Sequence, residues 1–250
     1  MPTVIINADD FGLNEHCSKA IAEAFDKKLV TDTTMMATGE YFDEAIALAK
    51  ERGFFDKLGV HLNLTEGVPL TDKIKTCPRF VTDGRFNKSY DRNKRLTAGE
   101  KDAIRLELTA QIEKLQNAGV SLTHADSHHH IHTGIYIAPI AEQVCLSHGV
   151  SKIRLHRNAG QILFLKRIFK KHFNQRYRKR GFTTTDYFAY VMDIDGFDVP
   201  ENTEIMIHPD YDRDGNLIDR RGVEDGFPVG DPIPAYGAQP QITLRGYTEL

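Results

Sequence analysis

Cysteine is scarce: Cys17, Cys77 and Cys145 are the only three in 250 residues, widely spaced and without a CxxC pair. An odd, dispersed set excludes a disulfide scaffold and suggests reduced thiols in a cytoplasmic protein. No charge of either sign dominates. Lys and Arg number 32 against 35 Asp and Glu, a net of -3, so nothing global draws the chain to nucleic acid or an anionic membrane. Long hydrophobic runs are missing too. The N-terminus enters Thr3–Ala8 directly, with no basic segment before it, so neither a signal peptide nor a transmembrane helix is expected. Linkers and internal repeats are also absent, which leaves one domain over residues 1–250. What is present, 40% hydrophobic and 27% charged residues, is the composition of a globular chain long enough to bury a full core.

The hydrophobic pattern switches repeatedly between strand and helix periods. Strands are expected at Thr3–Ala8, Thr31–Ala37, Leu58–Leu64, Val120–His124, Lys152–Leu155 and Glu204–His208. Helices are expected at Ser18–Lys28, with Ala20, Ile21, Ala24 and Phe25 on one face, and at Tyr41–Arg52, stopped by Gly53. Thr97 and Glu100 form a capping box for a long helix through Leu106, Ile112 and Leu115 to Asn117, and a further helix spans Ile137–His148. Residues 65–95, with Gly67, Pro69, Pro78 and Gly84, read as a functional loop. Strands alternating with helices predict an α/β fold with a parallel sheet, and six or seven such units fit a β/α barrel better than an open sheet.

Chemistry concentrates at the C-terminal ends of the expected strands, where such folds build active sites. Four histidines and an aspartate fall between Asp126 and His132. In an extended strand Asp126, His128 and His130 would share one face and His129 would point away. Asp9 and Asp10 follow the first strand, either as a cation site or as a capping pair for the next helix, with Asp10 or Asn14 as the cap. His61 sits in an apolar strand, where a lone histidine is more often structural. Together Asp10, His61 and His128 would give a two-histidine, one-carboxylate metal site with positions left for water, which is the catalytic kind. Cys17 and Cys145 fall in helices and read as core.

Asn7-Ala-Asp-Asp-Phe-Gly-Leu13, Gly59-Val-His-Leu-Asn-Leu-Thr65, Asp126-Ser-His-His-His-Ile-His132 and Ile207-His-Pro209 resemble the YdjC-like carbohydrate deacetylases, which include chitooligosaccharide deacetylases. The resemblance runs in order along the whole chain. It implies a distorted β/α barrel that removes acetyl groups from N-acetylated sugars with a divalent ion, acting as a hydrolase on amide C–N bonds. It implies that Asp10, His61 and His128 bind the metal, that Asp9 is the base and His208 the acid, and that Arg154 orients Asp9. Asn63, Asp126 and His130, within the same motifs, are assigned to substrate contact. Magnesium is the metal the resemblance implies, whereas the imidazole donors alone favour zinc or another transition ion. The implied partners are an N-acetylated carbohydrate and a second copy of the chain, with no nucleic acid and no stable membrane association.

Two stretches depart from that pattern. Residues 162–180 read as a basic amphipathic helix, with Ile162, Leu165, Phe169 and Phe173 in one stripe amid Lys166, Arg167, Lys170, Lys171, Arg176, Arg178, Lys179 and Arg180. A solvated face is its first reading; a lid over an acidic or phosphorylated sugar and a weak membrane contact are the others. Residues 244–250 fall where a last barrel strand is expected, which leaves closure open. The competing functions are a metal-dependent phosphoesterase or isomerase, and a non-catalytic sugar- or metal-binding barrel that would have no need of Asp9 or His208.

Overall fold

The apolar run that opens the sequence becomes the middle of the sheet. In a computed structural model, which describes residues 1–92, 94–160, 162–194, 196–220 and 231–250, β1 (Thr3–Phe11) is buried from Val4 onward, as a parallel strand covered on both faces must be. There follow α1 (Glu15–Asp26), β2 (Asp32–Met35), α2 (Phe42–Glu51), β3 (Leu58–Leu62), α3 (Asp72–Lys75), a hairpin of β4 (Val81–Thr82) and β5 (Arg85–Phe86), α4 (Ala98–Asn117) and β6 (Ala125–Ser127). The chain continues through α5 (Ala138–Ser147), α6 (Phe164–Lys179), β7 (Tyr187–Tyr190), β8 (Thr203–Ile207), β9 (Pro209–Tyr211), β10 (Leu217–Asp219), β11 (Asp231–Pro232) and β12 (Thr243–Leu244).

The main sheet runs β6-β3-β2-β1-β8-β7, with β12 added beside the start of β1, and every pair in it is parallel. It curls into a half-barrel. Between the edge strands β6 and β7 lies the segment 152–159, which Arg154 N ties to Ala125 O at 3.0 Å and Ala159 N ties to Phe188 O at 3.3 Å. This is the distorted form of the expected barrel, with its last gap spanned by single bonds in place of a ladder. The strand expected at Lys152–Leu155 is reduced to isolated bridges, Ala125 to Ile153 and Lys152 to Thr183.

Local signals account for most boundaries. Asn14, and not Asp10, caps α1: its Oδ1 accepts from Cys17 N at 2.9 Å. The Thr97–Glu100 capping box forms as expected. Gly53, Gly119 and Gly149 take positive φ at their helix ends. Cys17 and Cys145 are buried in α1 and α5. Among the described residues no helix is long and apolar enough to cross a membrane.

Elsewhere tertiary contacts override the pattern. Val120–His124 is not a strand, because the His124 ring stacks on Tyr247 at 3.6 Å and turns its Nε2 to Asn7 Oδ1 at 3.0 Å. A Cβ at Gly59 would lie 2.6 Å from that ring, so only glycine lets β3 pass. The strand β7 has no counterpart among the expected strands. Residues 65–95 contain α3 and the β4–β5 hairpin, tied down where Leu70 N and Thr71 N donate to the buried Glu107 carboxylate at 3.0 and 2.9 Å. In α4 Ile112 and Leu115 are buried and Leu106 is exposed. The α6 stripe is divided: Phe173 is buried with Asn174 and Tyr177, whereas Leu165 and Phe169 are 79% and 51% exposed. The side chains of Lys166 and Arg167 in its basic set lie outside the described ones.

Candidate active site

The site starts with an irregularity in β1. Its register against β2 slips between Ala8 and Phe11, and Asp10 takes φ 74. Such a bulge re-aims side chains, so the adjacent Asp9 and Asp10 both reach one cavity of about 220 Å³ at the C-terminal end of the sheet.

Register supplies the next pair. His61 on β3 and Asp126 on β6 are direct partners, so their side chains share a face. Asp126 Oδ1 lies 2.7 Å from His61 Nδ1, and Thr34 Oγ1 donates to Asp126 Oδ2 at 3.0 Å. That fixes the ring and leaves His61 Nε2 3.1 Å from Asp10 Oδ1. His128 Nδ1 reaches the same oxygen at 2.8 Å. The other Asp10 oxygen accepts from Arg220 Nη2 at 2.9 Å.

After Ser127 the strand alternation ends. His129 and His130 take φ 49 and 54, left-handed values that disfavour non-glycine residues by roughly 1–3 kcal/mol each. In consequence His128, His129 and His130 all line the cavity, and His129 does not point away from it. His129 Nδ1 meets Thr65 Oγ1 at 2.9 Å and His130 Nε2 meets Tyr190 Oη at 2.8 Å. Ser127 and His132 resemble a nucleophile–base pair at 2.5 Å, but His132 N also donates to Ser127 Oγ at 3.0 Å, so the pair closes the turn.

Arg154 is fully buried behind this surface. Its Nη1 and Nη2 donate to Asp9 at 2.6 and 2.7 Å, its Nε to Glu204 Oε1 at 2.7 Å, and Nη1 also lies 2.6 Å from Asp126 Oδ2. Burial alone would raise the Asp9 carboxyl, but the two-pronged guanidinium overcomes it and holds Asp9 well below the usual carboxylate range. Burial wins at the other two: Asp126 is raised, and Glu204 is pushed up to about 7. Of the three carboxylates on Arg154, Asp9 therefore keeps its charge most firmly. Burial disfavours protons on His61 and His128, yet the facing carboxylates of Asp126 and Asp10 raise them to about 10 and about 9. The cluster thus draws positive charge to the donor atoms.

Asp10, His61 and His128 offer one donor each within 4.8 Å of one another. The separations of 2.8 and 3.1 Å at Asp10 Oδ1 suit atoms sharing one ion with bonds of roughly 2.0–2.2 Å. The residues therefore fit a divalent cation. His208 follows β8, lines the same cavity, and its Nδ1 has no hydrogen-bond partner among the described residues.

Two residues assigned to substrate contact lie elsewhere. Asp126 is buried behind His61, bonded to it, Thr34 and Arg154. Asn63 is buried in the loop after β3, where its Oδ1 accepts from Thr65 N and Glu66 N at 2.9 and 3.1 Å. His130 does line the cavity. Sequence reasoning missed Thr34, Glu66, Tyr190, Glu204 and Arg220. The acid that opens the apolar strand expected at Glu204–His208 is a signal that could have been read; Arg220, delivered by the β9–β10 hairpin, left none.

A model of the family described as YdjC-like protein matches residues 3–230. Carbohydrate deacetylase 1 of Listeria innocua serovar 6a is 30% identical over 255 residues, 99% of each chain. A carbohydrate deacetylase of Listeria monocytogenes serotype 4b is 36% identical over 266 residues, again 99% of each. A crystal structure from Enterococcus faecalis, described as a candidate cellobiose-phosphate cleavage protein, superposes with a TM-score of 0.73 over 99% of this chain and 98% of that one; at 22% identity it shows a shared fold. Since the family model spans nearly the whole chain and relatives match it end to end, this chain belongs to the YdjC-like family.

Proposed function

We propose that the protein is a divalent-metal-dependent hydrolase that removes the acetyl group from N-acetylated sugars or short oligosaccharides, chitooligosaccharides among them. The observation that carries this reading is Asp10 Oδ1 facing His61 Nε2 and His128 Nδ1 at 3.1 and 2.8 Å, beside an Asp9 locked by Arg154. The full-length relatives named carbohydrate deacetylase support it.

Asp10, His61 and His128 would hold the ion, magnesium by resemblance or a transition ion by donor type. A bound ion supplies a Lewis acid for the acetyl carbonyl and acidifies water. Asp9 does the proton work on the attacking side. Arg154 keeps it ionised, and among the described residues its Oδ2 accepts a hydrogen bond only from Arg154 Nη1, which leaves a lone pair for a water proton. His208 stands at the same cavity to protonate the departing amine, which leaves poorly as an anion. His130 and Tyr190 line the wall and would meet the sugar. A non-catalytic binding barrel would have no use for a locked carboxylate and a histidine flanking one donor set. Three free cysteines suit a reducing cytoplasm, and a homodimer follows from the resemblance.

The test is acetate release from N-acetylglucosamine and its short oligomers, with protein stripped by chelator and reloaded with Mg²⁺ or Zn²⁺. Activity restored by metal is the expected result. No release from any N-acetylated sugar after reloading would overturn the reading.

A further inference from the structure

The loop that leaves β3 is built as a clamp on the histidine turn. Asn63 holds it from inside: Oδ1 accepts from Thr65 N and Glu66 N, and Nδ2 donates to Glu66 O at 2.6 Å and to Thr38 Oγ1 at 2.7 Å. From this fixed loop Thr65 Oγ1 meets His129 Nδ1 at 2.9 Å, and Glu66 Oε2 lies 3.5 Å from His128 Nε2. His128 is only 5% exposed, its Nδ1 is turned to Asp10, and its Nε2 has no hydrogen-bond partner among the described residues.

An imidazole that offers Nδ1 to an ion carries its proton on Nε2. A buried N–H needs an acceptor, and the Glu66 carboxylate is the group beside it. Its side chain is 42% exposed, so a small rotation can close 3.5 Å to the roughly 2.8–3.0 Å of a hydrogen bond.

We propose that Glu66 is a positioning residue: its carboxylate accepts the Nε2 proton of His128 and fixes that ring's tautomer and plane, as Asp126 does for His61. The two histidines are mirror images in this respect. His61 turns Nε2 to Asp10 and Nδ1 to its supporting carboxylate; His128 turns Nδ1 to Asp10 and Nε2 to Glu66. The inference rests on the metal reading above. Its rival uses the same atoms: Glu66, His128 and His129 also bring donors within 4.8 Å of one another and could hold a second ion. That arrangement needs both nitrogens of His128 as ligands and hence a fully deprotonated ring, whereas a supporting carboxylate needs only the ordinary neutral imidazole.

The experiment measures Zn²⁺ stoichiometry and affinity, by elemental analysis and chelator competition, for wild type, Glu66→Ala and Glu66→Gln. Expected are one ion per chain in all three, an affinity weakened about 10- to 100-fold in Glu66→Ala, and substantial recovery in Glu66→Gln, whose amide oxygen still accepts from Nε2. Unchanged affinity in Glu66→Ala would overturn the proposal, whether or not the KM for sugar rises. So would two ions in wild type and one in Glu66→Ala. A wild type that binds no ion sinks the metal reading as well; a wild type that binds one with Glu66→Ala its equal sinks only the role of Glu66.

Discussion

Replacing Arg154 probes the part of the site that its chemistry and its stability share. The guanidinium holds Asp9 by two bonds, Glu204 by one and Asp126 at 2.6 Å, with no exposure to solvent. Each charge-assisted bond of this kind is worth about 1.5–3 kcal/mol, and the values do not add. Removing one partner of a buried ion pair costs about 3–5 kcal/mol, against a typical total stability of 5–15 kcal/mol. Arg154→Ala strands three buried carboxylates and should take most of that total. Arg154→Lys keeps one charge but loses the fork, and should lose about 3 kcal/mol at neutral pH. The loss must depend on pH. In wild type the depressed Asp9 contributes stability above its unfolded value of about 3.8, lost as pH falls through its lower folded value. Without the fork, burial is less opposed, the folded Asp9 rises, and its contribution is present at low pH and lost as pH rises. The gap between wild type and Arg154→Lys should therefore narrow from pH 7.5 to pH 5. Urea unfolding of metal-stripped proteins at the two pH values measures it. A gap under about 1 kcal/mol at pH 7.5, or an equal gap at both, would refute the reasoning.

Asp9→Asn should bind metal normally and lose roughly two or more orders of magnitude in turnover, the usual worth of a general base; near-normal turnover would leave Asp9 a structural partner of Arg154. His208→Ala should slow deacetylation of an amide far more than hydrolysis of an activated aryl acetate, whose leaving group needs no proton; equal losses would remove His208 as the acid. Asp32 is fully buried at the far end of β2, and burial pushes its carboxyl up to about 6. Its contribution is present below the unfolded value of about 3.8 and is lost as pH rises through about 6, on the order of 3 kcal/mol. Asp32→Asn should flatten the fall of the melting temperature over that window, and an unchanged slope would count against the assignment.

The residues that face the cavity were legible because parallel α/β folds bring the C-terminal ends of their strands together. Asp9, Asp10 and His208 follow apolar runs, His61 sits within one and His128 follows Asp126-Ser127, and the structure brings all five to one cavity. Of what stands behind them, only Arg154 was legible, through the resemblance. Asp126 became a support for His61 through the register of β3 against β6, and register is not written in a run of three residues. Asn63 faces inward because the loop folds around it. His129 joins the cavity through two left-handed residues in succession, a backbone state that histidine spacing does not signal. Arg154 was placed at the end of a strand; it arrives instead on a segment held by single bridges, yet still reaches Asp9. Exposed Leu165 and Phe169 show that an apolar period on a helix does not say which part of the stripe the core takes.

Metal content tests the central claim most directly. Wild type, His61→Ala and His128→Ala would be purified alike, loaded with the same divalent ion, freed of excess and assayed for bound metal. The account predicts one ion per wild-type chain and loss of it in both variants. Wild-type content in both would contradict the account, because the ion would then be held by other residues.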